Sequence, residues 1–133
     1  MMRNNNSKIV YPDLSYKING ITFAAKKKAG RFANEKQYCD AIEELLQEQN
    51  IPYEREKVLS PSFEGEAERR HKVDFLINGK IILEIKAKPF LTKNDYYQTR
   101  RYLAALRLKL AILVNMRSYY ITPKRVLNSD AEE

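Results

Sequence analysis

Residues 73–88, VDFLINGKIILEIKAK, hold two aliphatic runs on either side of Asn78-Gly79. Apolar runs of this length around an Asn-Gly pair read as two neighbouring strands joined by a turn. The same stretch contains Asp74, Glu84 and Lys86. Charge inside such a run costs free energy unless something compensates it. Side chains alternate across a strand, so Glu84 and Lys86 share one face, about 7 Å apart along the chain. Asp74 is the difficulty. A two-residue turn at Asn78-Gly79 would pair it with Leu83 and place it on the face opposite Glu84. A common site for the acids needs an odd-length loop, such as 78–80, or a bulge.

The remaining pattern supplies elements to flank these strands. Residues 13–29 fit two readings: a hairpin around Asn19-Gly20, or a helix with Asp13 as N-cap and Leu14, Ile18, Ile21 and Ala25 on one side. Residues 34–49 predict a helix. Asn34 and Gln37 form a capping box, Tyr38, Ile42, Leu45 and Leu46 an inner stripe, and Asn50 and Pro52 the stop. Residues 53–59 alternate as a strand, and a polar loop with Pro61 and Gly65 leads to strands near 72–77 and 81–87. A further helix runs from Thr92, capped with Asp95, to about Leu108. LAILVNM and YYITPKRVL read as closing strands. The result is an α/β layout with the sheet between helices. The chain divides into a flexible segment at 1–12, a single domain at 13–128 and an acidic tail at 129–133.

Composition narrows the function. No apolar run approaches the roughly 20 residues of a membrane span, and the N-terminus lacks the apolar centre of a secretory signal. A single cysteine, Cys39, excludes an internal disulfide and suits a reducing cytoplasm. One His and one Cys exclude a typical zinc site, so any metal would be a hard cation held by oxygen. With 24 Lys+Arg against 17 Asp+Glu, the chain carries +7. Such a field favours polyanions, nucleic acid first.

If Asp74 and Glu84 converge, they offer oxygen ligands to Mg²⁺ or Mn²⁺, and Lys86 can orient a water and stabilise charge building up on a phosphodiester. The plainer reading of the same three residues is a cross-strand salt bridge. Against it, both acids interrupt nearly continuous apolar runs. Glu35 lies on the core-facing stripe of its helix, although an acid in a first turn is also an ordinary dipole partner. Gln98 and Tyr102 share one side of the later helix, where a surface Gln is the commoner case. Lys93, Arg100 and Arg107 repeat every seven residues, as a phosphate-following stripe or as a solvated face. His71 reads as a loop residue and Cys39 as a buried small apolar one.

Taken together, Asp74, Glu84-Ile85-Lys86, Glu35 before them and Gln98 after them resemble the PD-(D/E)xK nuclease superfamily, and within it the GxxExxY proteins. The likeness runs from about Leu14 to Asn128 and takes in LSYKI, EKQY at 35–38, IPYERE, VDFLI, KIILEIKA, Gln98 with Tyr102-Leu103, LVN at 113–115 and KRVLN. It favours helix over hairpin for 14–28 and implies a restriction-endonuclease-like core. It also implies Asp74 and Glu84 as metal ligands, Lys86 as catalytic lysine, and Glu35 and Gln98 as supporting residues. Three positions depart from the pattern. The motif glycine falls on Phe32 (Gly30 matches an earlier one), the usual His is Asp95, and the usual Arg is Lys72.

The function expected is a Mg²⁺-dependent (or Mn²⁺-dependent) endonuclease acting on DNA, with Lys72, Lys93, Arg100, Arg107 and Tyr102 as candidate nucleic-acid contacts. A Holliday-junction resolvase, which must be a two-fold homodimer, and a non-catalytic nucleic-acid-binding accessory protein are the alternatives.

Overall fold

Pro12, at the first position of helix α1 (Pro12–Ala29), arrives with its φ already helical. The computed structural model describes residues 9–59 and 71–130. Asn19-Gly20 lies within α1, so the helical reading of this segment holds. Asp13 sits in the first turn rather than at the N-cap, which is Tyr11, in a left-handed conformation without a side-chain cap. Ile18, Ile21 and Ala25 are buried, and the helix stops at Gly30, whose φ of 88° favours glycine.

Helix α2 (Glu35–Glu48) begins with the expected reciprocal cap: Gln37 N–H donates to Asn34 Oδ1 and Asn34 N–H to Gln37 Oε1, both at 2.8 Å. Tyr38, Ile42 and Leu46 face inward, while Leu45 is only half-buried. Strands β1 (Tyr53–Val58), β2 (Lys72–Ile77) and β3 (Ile81–Lys86) follow, then α3 (Lys93–Leu106), β4 (Leu110–Asn115) and β5 (Lys124–Leu127). Thr92 and Asp95 form the second capping box. The last strand is shorter than the pattern YYITPKRVL predicts. Pro123 has no N–H to give a ladder, and Tyr119 and Tyr120 are exposed before it. The polar loop with Pro61 and Gly65, the cations Arg69 and Arg70, residues 1–8 and residues 131–133 lie outside the described residues.

The strands form one sheet in the order β1-β2-β3-β4-β5, antiparallel except for the parallel β3–β4 pair that α3 connects. This is a mixed sheet flanked by helices, the restriction-endonuclease-like architecture implied by the sequence. One face, with Phe75, Leu83, Ile85 and Ile112, packs on α1 and α2. The other, with Val73, Ile82, Ala111 and Leu113, packs on Tyr102 and Leu103 of α3. Being covered on both sides explains why β3 and β4 are nearly continuous aliphatic runs rather than alternating ones.

Phe75 is fully buried in the α1/α2 layer. Its replacement by Ala should cost about 3–5 kcal/mol, measured by denaturant unfolding. Tyr16→Ala, at a residue 79% exposed, should change stability by no more than about 0.5 kcal/mol.

Candidate functional site

The site begins at the β2–β3 turn. Ile77 pairs with Ile81, so the loop is Asn78–Lys80, of odd length. Asn78 (φ 53°) and Gly79 (φ 64°) are both left-handed, a conformation Asn and Gly tolerate. The register Phe75↔Leu83, continued by one pair, brings Asp74 opposite Glu84. There the ordinary ladder gives way. Asp74 N–H donates to Glu84 Oε1 at 3.1 Å, and Ile85 N–H donates to Asp74 Oδ2 at 2.8 Å. Carboxylate oxygens occupy places that carbonyls take in a regular antiparallel pair.

Two further irregularities mark the same point. Val73 packs in the α3-side core and Phe75 in the α1/α2-side core, although a regular strand would put both on one face. Asp74 sits at the switch between them. On β1, Glu56 has a φ of 55° between the pairs Arg55↔Phe75 and Lys57↔Val73. The backbone is thus distorted on both strands around Asp74.

The electrostatics follow from burial. Glu84 is 4% exposed and Asp74 half-buried. Loss of hydration pushes the Glu84 carboxyl well above the ordinary carboxylate range, and the Asp74 charge pushes it further. Burial likewise raises Asp74, against the Ile85 N–H that stabilises its charge, with Glu35 adding repulsion. Each carboxyl group thus accepts a backbone N–H from the opposite strand, which sets the two acids against each other. Glu84, the deeper of the two, is the more strongly raised. Lys86 is half-buried two residues after Glu84, and its charge favours ionisation of both acids.

Glu35 is exposed at the start of α2 rather than turned into the core, yet it borders the same space as Asp74. The cleft, of about 280 Å³, is lined by Glu35, Cys39, Arg55 and Asp74 among others. Cys39 is buried as expected; loss of hydration and then the Asp74 charge raise its thiol far above its ordinary value. The carboxylates of Glu35 and Asp74 offer oxygen donors to the same cleft. Among the described residues no group of three or more His, Cys, Asp and Glu side chains is placed to hold an ion. A pair of carboxylates suits Mg²⁺ or Mn²⁺, since Mg²⁺ takes one or two carboxylates and keeps waters for its other positions.

On the opposite side, Tyr102 is buried, and its hydroxyl is pushed up to about 12 by loss of hydration and then by Glu84 and Asp74. Its ring is packed in the α3-side core and is not an open stacking surface. Gln98 is half-buried one turn earlier on α3. Lys93, Arg100 and Arg107 are all exposed, with Arg107 the left-handed C-cap of α3. Lys72 is exposed and pairs with Glu56 at 2.7 Å.

Sequence reading missed the bracing beside Lys86. Lys88 donates to both Asp95 oxygens at 3.0 and 2.9 Å, and Asn115 clasps the Lys88 backbone, accepting its N–H at 3.2 Å and donating to its C=O at 2.9 Å. Burial opposes the Asp95 charge, but Lys88 and Thr92 outweigh it and hold its carboxyl below the usual range. Asp95, where the resembled family carries His, is thus both helix cap and anchor. Lys88 in KAKP and Asn115 ending an aliphatic strand were the available signals.

A family model described as the PD-(D/E)XK nuclease superfamily matches residues 12–126. Searches of curated proteins and of solved structures each found no significant match. Among the described residues no helix is long and apolar enough to cross a membrane.

The raised Glu84 carboxyl makes a stability prediction. Between the ordinary carboxylate value and the folded one, the folded state holds the extra proton, so stability falls as pH rises through that interval. In chelator-treated buffer, Glu84→Gln should melt higher than the parent at neutral pH and lose much of this decline. Differential scanning calorimetry across the acid-to-neutral range checks it.

Proposed function

The chain belongs to the PD-(D/E)XK nuclease superfamily, and on that premise we propose that it is a Mg²⁺-dependent (or Mn²⁺-dependent) endonuclease that hydrolyses phosphodiester bonds in DNA, of the GxxExxY type. The observation that supports this best is the Asp74–Glu84 pair, placed where β2 and β3 part, with Lys86 two residues after Glu84 on the same strand. Two buried carboxyl groups set together destabilise the fold unless a proton or a cation lies between them.

Asp74 and Glu84 would hold the ion, which would polarise the phosphodiester and lower the pKa of a bound water. Holding it would require both carboxyl groups to be ionised. The N–H groups of Asp74 and Ile85 keep one oxygen of each carboxylate fixed while that happens. Lys86 orients the attacking water and stabilises negative charge on the phosphate as the bond forms. The Lys88–Asp95–Asn115 brace keeps the segment after Lys86 in place. Glu35 contributes from the rim of the cleft and Gln98 from α3. Lys93, Arg100 and Arg107 on α3 and Lys72 on β2 supply phosphate contacts.

Incubation with Mg²⁺ and plasmid, linear, single-stranded and branched DNA tests the proposal. Lys86→Ala should cut cleavage by about 100-fold or more. Glu84→Ala should abolish cleavage while DNA binding stays equal or tightens, because one source of phosphate repulsion is gone. Cleavage that survives both substitutions would refute the assignment. Binding without any metal-dependent cleavage in the parent protein would favour the accessory reading.

A further inference from the structure

Three large rings stand together on the surface where nothing in the fold requires them: Phe32 is 76% exposed, Tyr119 68% and Tyr120 81%. They come from two loops, Phe32 from the α1–α2 connection and the tyrosines from the segment between β4 and β5. Arginines knit them into one surface. The Arg31 guanidinium carbon lies 5.1 Å from the centre of the Phe32 ring and 5.5 Å from that of Tyr119. Arg117 lies 5.9 Å from Phe32, and Tyr119 meets Tyr120 edge to face at 4.7 Å.

The backbone beneath is pinned. Arg31 Nε donates to Arg117 O at 3.1 Å, and Lys26 donates to the carbonyls of Met116 and Ser118. The platform also connects to the candidate site: Met116 N–H donates to Lys86 O at 2.7 Å, and Arg117 reaches Ala87 O at 3.5 Å. Two of its anchors are thus the backbone carbonyls of Lys86 and of the residue after it.

We propose that this surface is a stacking platform for the unpaired bases of single-stranded nucleic acid, tied through Met116 and Arg117 to the end of β3 that carries Lys86. The chemistry selects the occupant. Aromatic faces stack any base, and arginine adds cation–π attraction and phosphate contact. The platform is built of Arg31, Phe32, Arg117, Tyr119 and Tyr120, with no acid among them, in a chain of +7, which complements a polyanion. In a duplex the base faces are already stacked on one another, so rings that project this far find partners only where bases are unpaired. Single exposed rings are ordinary, but a contiguous group of three marks an interaction surface. The inference deepens the nuclease reading by naming its substrate as single-stranded or locally unpaired. Its test uses neither metal nor cleavage, so the two fail separately.

Fluorescence anisotropy in chelator-containing buffer compares a short labelled oligothymidylate, an oligouridylate and a blunt-ended duplex without unpaired bases. Each stacked base is worth roughly fivefold or more in affinity, so Phe32→Ala/Tyr119→Ala/Tyr120→Ala should weaken oligothymidylate or oligouridylate binding by at least about tenfold, with a much smaller change for the duplex. Tyr119→Phe/Tyr120→Phe, which keeps the rings, should bind as the parent does. If the triple variant does not fold, Tyr120→Ala alone should show a weakening of about fivefold. Equal weakening on single strand and duplex, or none on either single strand, overturns the proposal. So does sedimentation showing a parent dimer that the alanine variant converts to monomer, since the rings would then be a protein interface.

Discussion

Everything distinctive here follows from two carboxyl groups inserted where a β-ladder should continue. Glu84 Oε1 and Asp74 Oδ2 accept the N–H groups of Asp74 and Ile85, so the backbone is satisfied, but by side chains that would carry charge in water. Burial then penalises that charge and raises both carboxyl groups above their ordinary range. The arrangement is costly for stability alone, since an apolar pair on a regular ladder would bury the same area without it. A divalent cation has the charge to offset both carboxylates, and Lys86 lies two residues after Glu84 on the same strand.

The fold surrounding this pair is conventional, which is why much of it is legible in the sequence. The capping boxes at Asn34–Gln37 and Thr92–Asp95 are local chemistry and fix their helices directly. The aliphatic runs of β3 and β4 announce a doubly covered sheet. Asn19-Gly20 was ambiguous because a hairpin dipeptide can sit inside a helix when Ile18, Ile21 and Ala25 have a core to enter; only tertiary packing decides that. The tyrosines of YYITP looked like strand because aromatic residues favour strands, but Pro123 denies the ladder its donor.

The site was legible only in part. Parity along the chain showed that Asp74 and Glu84 could meet only through an odd-length loop, and Asn78–Lys80 is one. Parity could not show the switch of faces between Val73 and Phe75, which stands opposite the left-handed Glu56 on a strand distant in sequence. Glu35 illustrates the limit of helical periodicity: it shares a stripe with Tyr38 and Ile42, but at the first turn that stripe has already left the core for the edge of a cleft. The ties from Lys88 to Asp95 and Asn115, and the clustering of Arg31 and Phe32 with Tyr119, join segments that no local pattern connects.

The proposed function rests on Asp74 and Glu84 forming an acid pair that a divalent ion can enter. Isothermal titration of Mn²⁺ into the metal-free protein, repeated in buffers of different ionisation enthalpy, measures both stoichiometry and proton release. One ion bound per chain with protons released at mildly acidic to neutral pH, and loss of that binding in Asp74→Asn, is the expected result. Mn²⁺ binding that Asp74→Asn leaves intact, or no Mn²⁺ binding at all, would contradict it.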